Sequence, residues 1–342
     1  MAGPRQLRPL LAALAAASLA SCTAPPPPPG AAAPARVWPA PPDQARLAFA
    51  GFVRGPADVG ARPSVLRSVA NWLTGDNGAD LALHKPLAVA VDEAGNLCIA
   101  DTDARQVCYA DLAGRTWRRF TAAGTVKFKS PVAVARRRGT IFVADSELGR
   151  VFGLGDDGRV AAEIGAPLQR PVGLAATGDR LYVVDAVANA VFAFGLDGRL
   201  QFQFGRRGTA PGEFNYPTAI AAAPNGRLVV TDTMNFRVEV FDLQGNFLAQ
   251  FGSNGDTSGH FSRPKGVATD AEGNIYVVDA IFDNFQIFSP EGRLLLNVGE
   301  GGDGAGEFGL PTGIAIAADG RIYVADSFNH RVQIFQRLAR HE

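Results

Sequence analysis

The chain has 342 residues, 47% of them apolar, enough to bury the core of one large domain. Its 33 basic and 33 acidic residues cancel, so no global field steers it toward nucleic acid. The 39 glycines and 23 prolines require many turns and exclude a mainly helical fold; lysine is confined to Lys85, Lys127, Lys129 and Lys265.

Residues 1–21 have the layout of a signal peptide, with Arg5 and Arg8 ahead of a short apolar stretch from Pro9 to Leu19. That stretch is too short to cross a ~30 Å hydrocarbon core as a helix. It ends in Leu19-Ala20-Ser21-Cys22, which resembles a bacterial lipobox. The resemblance implies cleavage before Cys22, a diacylglyceryl group on its sulfur and acylation of the new amine. An ordinary secretory peptide cut after Ala20 or Ser21 is the alternative. Several acyl chains on one residue would meet the requirement for stable anchoring. Thr23 stands where aspartate would favour retention in the inner membrane, which points to the outer membrane of a Gram-negative envelope. Residues 22–42, rich in proline and alanine with an unbroken run Pro25 to Pro29, read as a semi-rigid polyproline spacer.

One folded unit is expected over 43–338, with 339–342 as a tail. Arg46 to Phe52 has the pattern of a strand without a partner nearby. Residues 64–74 carry apolar positions at Val65, Leu66, Val69, Trp72 and Leu73, a spacing that predicts a short helix capped by Ser64 and stopped by Gly75. Six segments then open alike: Pro86-Leu-Ala-Val-Ala, Pro131-Val-Ala-Val-Ala, Pro171-Val-Gly-Leu-Ala, Pro217-Thr-Ala-Ile-Ala, Pro264-Lys-Gly-Val-Ala and Pro311-Thr-Gly-Ile-Ala. Each leads through a turn to a β-rich stretch ending in aspartate: Asp101, Asp145, Asp185, Asp232, Asp279 and Asp326. Two more apolar stretches follow in most units. Four short strands per repeat of about forty to fifty residues make one blade of a β-propeller. The last repeat stops one strand short, so Arg46 to Phe52 is predicted to complete it and close the ring. The fold class is all-β, a six-bladed propeller of four-stranded blades.

Asp326-Ser-Phe-Asn-His-Arg-Val332 resembles the motif that names the NHL repeat, and Asp232-Thr-Met-Asn-Phe-Arg-Val238 matches it nearly as well. The resemblance covers residues 45–338 and is weakest in the first blade. Because every blade carries the aspartate, its role reads as architectural: a carboxylate accepting backbone N–H groups, paired with the arginine five residues on.

Enzymes of related propeller folds, the metal-dependent lactonases and the peptide-amidating lyases, place ligands around the central channel. Here the first strands offer a small ring, Ala88, Ala133, Gly173, Ala219, Gly266 and Gly313, with alanines two residues further on. His84, His260, His330 and His341 come singly, whereas zinc needs three or four converging ligands. No catalytic residue, cofactor or metal is expected. The glycine-rich loops ending Gly212-Glu-Phe214, Gly259-His-Phe261 and Gly306-Glu-Phe308 run strand to strand, unlike phosphate loops; they are expected to tuck a phenylalanine between blades. Cys98 and Cys108 fall on neighbouring strands of the first blade, where a disulfide and two free thiols are both open readings.

The loops between blades share a face with the turns that follow the aspartates. That face is expected to gather Phe214, Asn215, Tyr216, Asn235, Phe236, Phe282, Asn284, Phe328, Asn329, His330 and Arg331 as a partner surface. The expected function is therefore a non-catalytic, lipid-anchored scaffold that meets the membrane through Cys22. It would be monomeric and bind an envelope protein or saccharide, not nucleic acid. The alternative is an extracytoplasmic metal-dependent hydrolase or lyase.

Overall fold

The computed structural model describes residues 36–61 and 81–338. The expected signal peptide, Cys22, the run Pro25 to Pro29 and the predicted helix at 64–74 lie outside the described residues.

Six antiparallel sheets form the six blades. Blade four shows the pattern, with strands Pro217–Ala223, Arg227–Asp232, Arg237–Asp242 and Phe247–Phe251 hydrogen-bonded in that order. The inner strand of every blade begins at the repeat proline. A proline there gives up no ladder bond, since a strand's first residue can spare its N–H. The two middle strands of each blade are almost wholly buried, because both of their faces pack on neighbouring blades. Large side chains fill these interfaces, Tyr182, Phe194, Phe241, Phe288 and Phe335 among them.

The ring closes as the repeat pattern predicts. Leu47–Val53 pairs with Arg331–Arg337, from Leu47 opposite Arg337 to Val53 opposite Val332. A register shift between Phe49 and Gly51 bends the strand around the blade's outer edge. Ser327 Oγ adds a second seal, donating to the Pro86 carbonyl of blade one at 2.7 Å. The same hydroxyl position recurs as Thr102 donating to Pro131 O (2.6 Å) and Thr233 donating to Pro264 O (2.7 Å).

Part of the stretch expected to be a spacer is paired in a sheet instead. Val37–Trp38 forms a fifth strand on blade six, paired with Leu47 and Ala48. The Trp38 ring meets Phe335 edge-on at 5.4 Å, and Arg36 pairs with Glu307 at 3.1 Å. Two residues of strand-forming type in the proline-rich stretch suffice once a sheet edge offers free partners.

The cysteines also resolve. The turn after Asp101 pairs that residue with Gln106, which sets Cys98 opposite Tyr109 and Cys108 opposite Ile99. A one-residue offset sends their side chains to opposite faces of the sheet. Each packs in a different core cluster, and both are free and buried. The disulfide reading is thereby corrected. Burial pushes both thiols up, Cys98 to about 12, so neither is a reactive thiolate.

Phe335 touches Trp38, Phe49, Phe285 and Phe308, and so joins the closing segment to blades five and six. Phe335→Ala should lower unfolding stability by about 3–5 kcal/mol. Phe328→Ala, at an exposed position, should change it by no more than about 0.5 kcal/mol. Urea unfolding of both variants measures the difference.

Candidate functional site

Each repeat aspartate is fully buried and clamps the loop arriving from the previous blade to the turn that follows it. Asp185 accepts the N–H groups of Gln169 (2.6 Å) and Arg170 (2.8 Å), and those of Val187 and Ala188 in its own turn. Asp279 does the same for Ser262, Arg263, Ile281 and Phe282. In blades four and six the motif's asparagine and arginine extend the clamp. Asn235 donates to Asp232 and to Gly208 O; Arg237 donates to Asp232 and to the carbonyls of Thr209, Ala210 and Glu213. Asn329 and Arg331 repeat this around Asp326 with Gly302, Asp303, Gly304 and Glu307. These side chains spend their donors holding loops in place, so chemistry has to come from what the loops present.

The glycine-rich loops sit as predicted. Phe214, Phe261 and Phe308 are fully buried, packed 5.6, 5.6 and 5.9 Å from Phe241, Phe288 and Phe335. Gly205 illustrates why glycine leads each loop: its φ is +82°, and a Cβ there would collide with the Phe214 ring.

The expected partner face is therefore smaller than its sequence outline. Phe214, Asn284 and Arg331 are buried and leave it. Asn235 and Asn329 are committed to loop carbonyls. Asn215, Tyr216, Phe236 and Phe282 are half-buried, while Phe328 and His330 stand exposed, the His330 ring beside the His84 carbonyl. Phe328, two residues beyond its aspartate, has equivalents that sequence reasoning passed over. Val187, Met234 and Ile281 occupy the same turn position in blades three to five, and these four side chains are between 48% and 59% exposed. In blades one and two the position holds Asp103 and Glu147, near Lys85 (3.9 Å) and Lys129 (3.2 Å). Aligning the repeats on their aspartates would have found the arc; attention to polar and aromatic residues hid it.

The small residues Ala88, Ala133, Gly173, Ala219, Gly266 and Gly313 line the central opening, and the glycines among them also meet the next blade. A Cβ on Gly313 would lie 2.7 Å from both Ala88 Cα and Leu87 O, so glycine is what lets the inner strands approach so closely. The residue directly after each proline lines the opening as well: Leu87, Val132, Val172, Thr218, Lys265 and Thr312. They enclose a cavity of about 280 Å3, with Arg170 and Tyr216 also on its wall. Burial, with Arg263 and Arg170 nearby, holds the Lys265 ammonium below the usual lysine range. Among the described residues no three His, Cys, Asp or Glu side chains are grouped to hold a metal ion.

With this geometry in hand, comparison with known proteins is informative. The NHL repeat model matches residues 214–241 and 308–335, the loop phenylalanine, aspartate, asparagine and arginine of the two fullest clamps. The chain is an NHL-repeat six-bladed propeller. Among solved structures this NHL-repeat propeller is similar to a streptogramin B lyase structure (13% identity, TM-score 0.55, covering 74% of this chain and 94% of that one). It is also similar to a virginiamycin B lyase from Staphylococcus aureus with quinupristin (14%, 0.55, 74% and 95%). A gluconolactonase from Xanthomonas campestris gives 15%, 0.57, 75% and 87%. At these identities the likeness is one of fold. No curated protein matches the sequence.

One residue of the NHL clamp is out of keeping with its siblings. Gln286 and Gln333 each accept a loop N–H through Oε1, from Gly259 and Gly306, and donate through Nε2 to a loop carbonyl. Blade four has Glu239 instead. Its Oε1 accepts from Gly212 (3.1 Å) and its Oε2, facing where the amide would donate, has no partner. Burial pushes the Glu239 carboxyl from 4.5 to about 7, with Arg237 opposing the shift. A pKa raised on folding contributes stability that is present in full below the unfolded value and lost as pH rises through the folded one. Glu239→Gln should therefore remove a loss of stability that the wild type shows between pH 4.5 and about 7. Urea midpoints of both proteins across that range check it; parallel curves would refute the assignment.

Proposed function

We propose that this propeller is a non-catalytic scaffold of the bacterial envelope, anchored by lipid at Cys22, whose loop face binds a protein partner. The observation that carries the reading is the arc of Val187, Met234, Ile281 and Phe328. These are four apolar side chains exposed at one equivalent turn position on four consecutive blades. Single exposed apolar residues are ordinary, but an ordered set on a rigid face is the usual mark of an interface. The buried aspartates fix these turns, through backbone N–H groups at Val187 and Ile281 and through the side chains of Asn235 and Asn329 in blades four and six, so the arc is presented without the entropy cost that flexible loops would add on binding. Aliphatic side chains also suit a protein surface better than a sugar, whose recognition needs flat rings and convergent polar groups. The bordering Asp103 and Glu147 give the face a polar side, which would set the orientation of what binds.

The test is site-specific photocrosslinking in cells of the source organism. A crosslinker at Met234, Ile281 or Phe328 should capture one common partner, and crosslinkers at the outer-strand positions Leu200 and Leu248 should not. Equal capture at both sets, or none at the arc, would overturn the reading. The anchor is checked separately. Metabolic labelling with a fatty acid should mark the wild type and not Cys22→Ala, and the variant should appear in the soluble fraction.

A further inference from the structure

We infer that the mouth of the central channel is a binding site for an oxyanion, a carboxylate or phosphate group held against Lys265 and Arg170. The inference stands on different residues from the apolar arc, so either can fail without the other.

Lys265 follows the inner-strand proline of blade five and turns into the 280 Å3 cavity. Its carbonyl accepts from Thr231, but its ammonium has no hydrogen bond and no ion pair among the described residues, and neither do the guanidinium groups of Arg170 and Arg263 beside it. These two arginines directly precede the prolines of blades three and five, so they stand at the rim above the cavity wall. The contrast within the same ring is informative. Lys85, the corresponding residue of blade one, lies near Asp103, and Lys129 of blade two pairs with Glu147. Among the described residues, carboxylates thus stand by the rim cations of the first two blades and none stands by those of blades three and five.

The cavity wall holds no aspartate or glutamate. An ammonium drawn out of water without a counter-charge costs free energy, which is seen here as the lowered Lys265 pKa. A bound anion would reverse that cost, and a positive cleft with apolar walls focuses its field on the opening. Leu87, Val132 and Val172 supply such walls on the opposite side. The Tyr216 hydroxyl, unpaired among the described residues, lies on the cavity wall as a neutral donor. By contrast the threonines are already engaged: Thr218 bonds Thr231 and Thr233, and Thr312 donates to Leu87 O. Recognition therefore falls to two cations and a phenol, a set suited to one carboxylate or phosphate rather than to an extended polar ligand.

Such a group could come from a free small molecule or from an acidic side chain or C-terminus of a protein. Calorimetric titration of the purified full chain separates the two. The probes are inorganic phosphate, citrate, and a short peptide with either a free or an amidated C-terminus. At least one anionic probe should bind one-to-one with a Kd below about 1 mM at physiological salt. Preference for the free-acid peptide over its amide and over the small anions would assign the site to a protein carboxylate; preference for phosphate or citrate would assign it to a free anion. Lys265→Met, which keeps the side chain's length without its charge, should weaken that binding at least about tenfold. The exposed Lys127→Met should leave it unchanged. Lys265→Arg should retain most of it, which separates loss of charge from loss of fold. No binding by any probe, or equal binding to Lys265→Met, would overturn the inference.

Discussion

A ring of sheets is only as stable as its seam. In blade six the outer edge of Arg331–Arg337 would present a row of unpaired N–H and C=O groups, both an energetic cost and a template for aggregation. Leu47–Val53 covers that edge, and Val37–Trp38 covers the next one. Everything else follows from this closure. It fixes blade one against blade six, where Ser327 can then bond Pro86 O. It also brings Arg36, at the start of the described chain, onto the loop between blades five and six. Closure of this kind joins the two ends of the chain, so loss of either end should be felt by all six blades rather than by one.

With the ring closed, every blade faces the same local problem, and the aspartate solves it. The loop entering each blade brings backbone N–H groups to one buried point, and the turn leaving the second strand adds its own in blades two, three and five. A carboxylate can accept several of them at once. That is why aspartate recurs while its companions vary. Arg237 and Arg331 tie down long glycine-rich loops by their carbonyls, whereas blade three, entered by the short Gly165–Arg170 loop, has Ala190 at that position and needs no such tie. Residues repeated in every blade are structural for this reason, and the variable positions beside them are free to be functional.

The same distinction explains what could be read from the sequence. Blade number, closing strand, buried loop phenylalanines and the aspartate's role all depend on repeated, local patterns, and a repeat shows itself six times. Cys98 and Cys108 were ambiguous because a one-residue difference in turn length exchanges the faces of a strand. The channel lining was legible only in part: the small ring lies on it, and the residue directly after each proline lies there too. Trp38 was hidden by its composition, since a two-residue strand surrounded by proline carries no pattern at all. Its partner edge existed only once the ring had closed.

The loop face has an asymmetry that the repeats themselves do not require. Blades one and two carry Asp103 and Glu147 at the outward turn position, and blades three to six carry Val187, Met234, Ile281 and Phe328. The rim cations divide along a similar line: Lys85 and Lys129 have carboxylates close by, while Arg170, Arg263 and Lys265 have none among the described residues. Folding alone gives no reason to leave cations unpaired on the same half of the face where apolar side chains are left uncovered, because pairing the former and burying the latter would both stabilise the chain. A ligand of the kind proposed above would satisfy both kinds of surface at once. It would need an apolar rim and a central negative charge. A protein segment with an acidic side chain or terminus reaching into the channel, flanked by apolar residues against the arc, has that form.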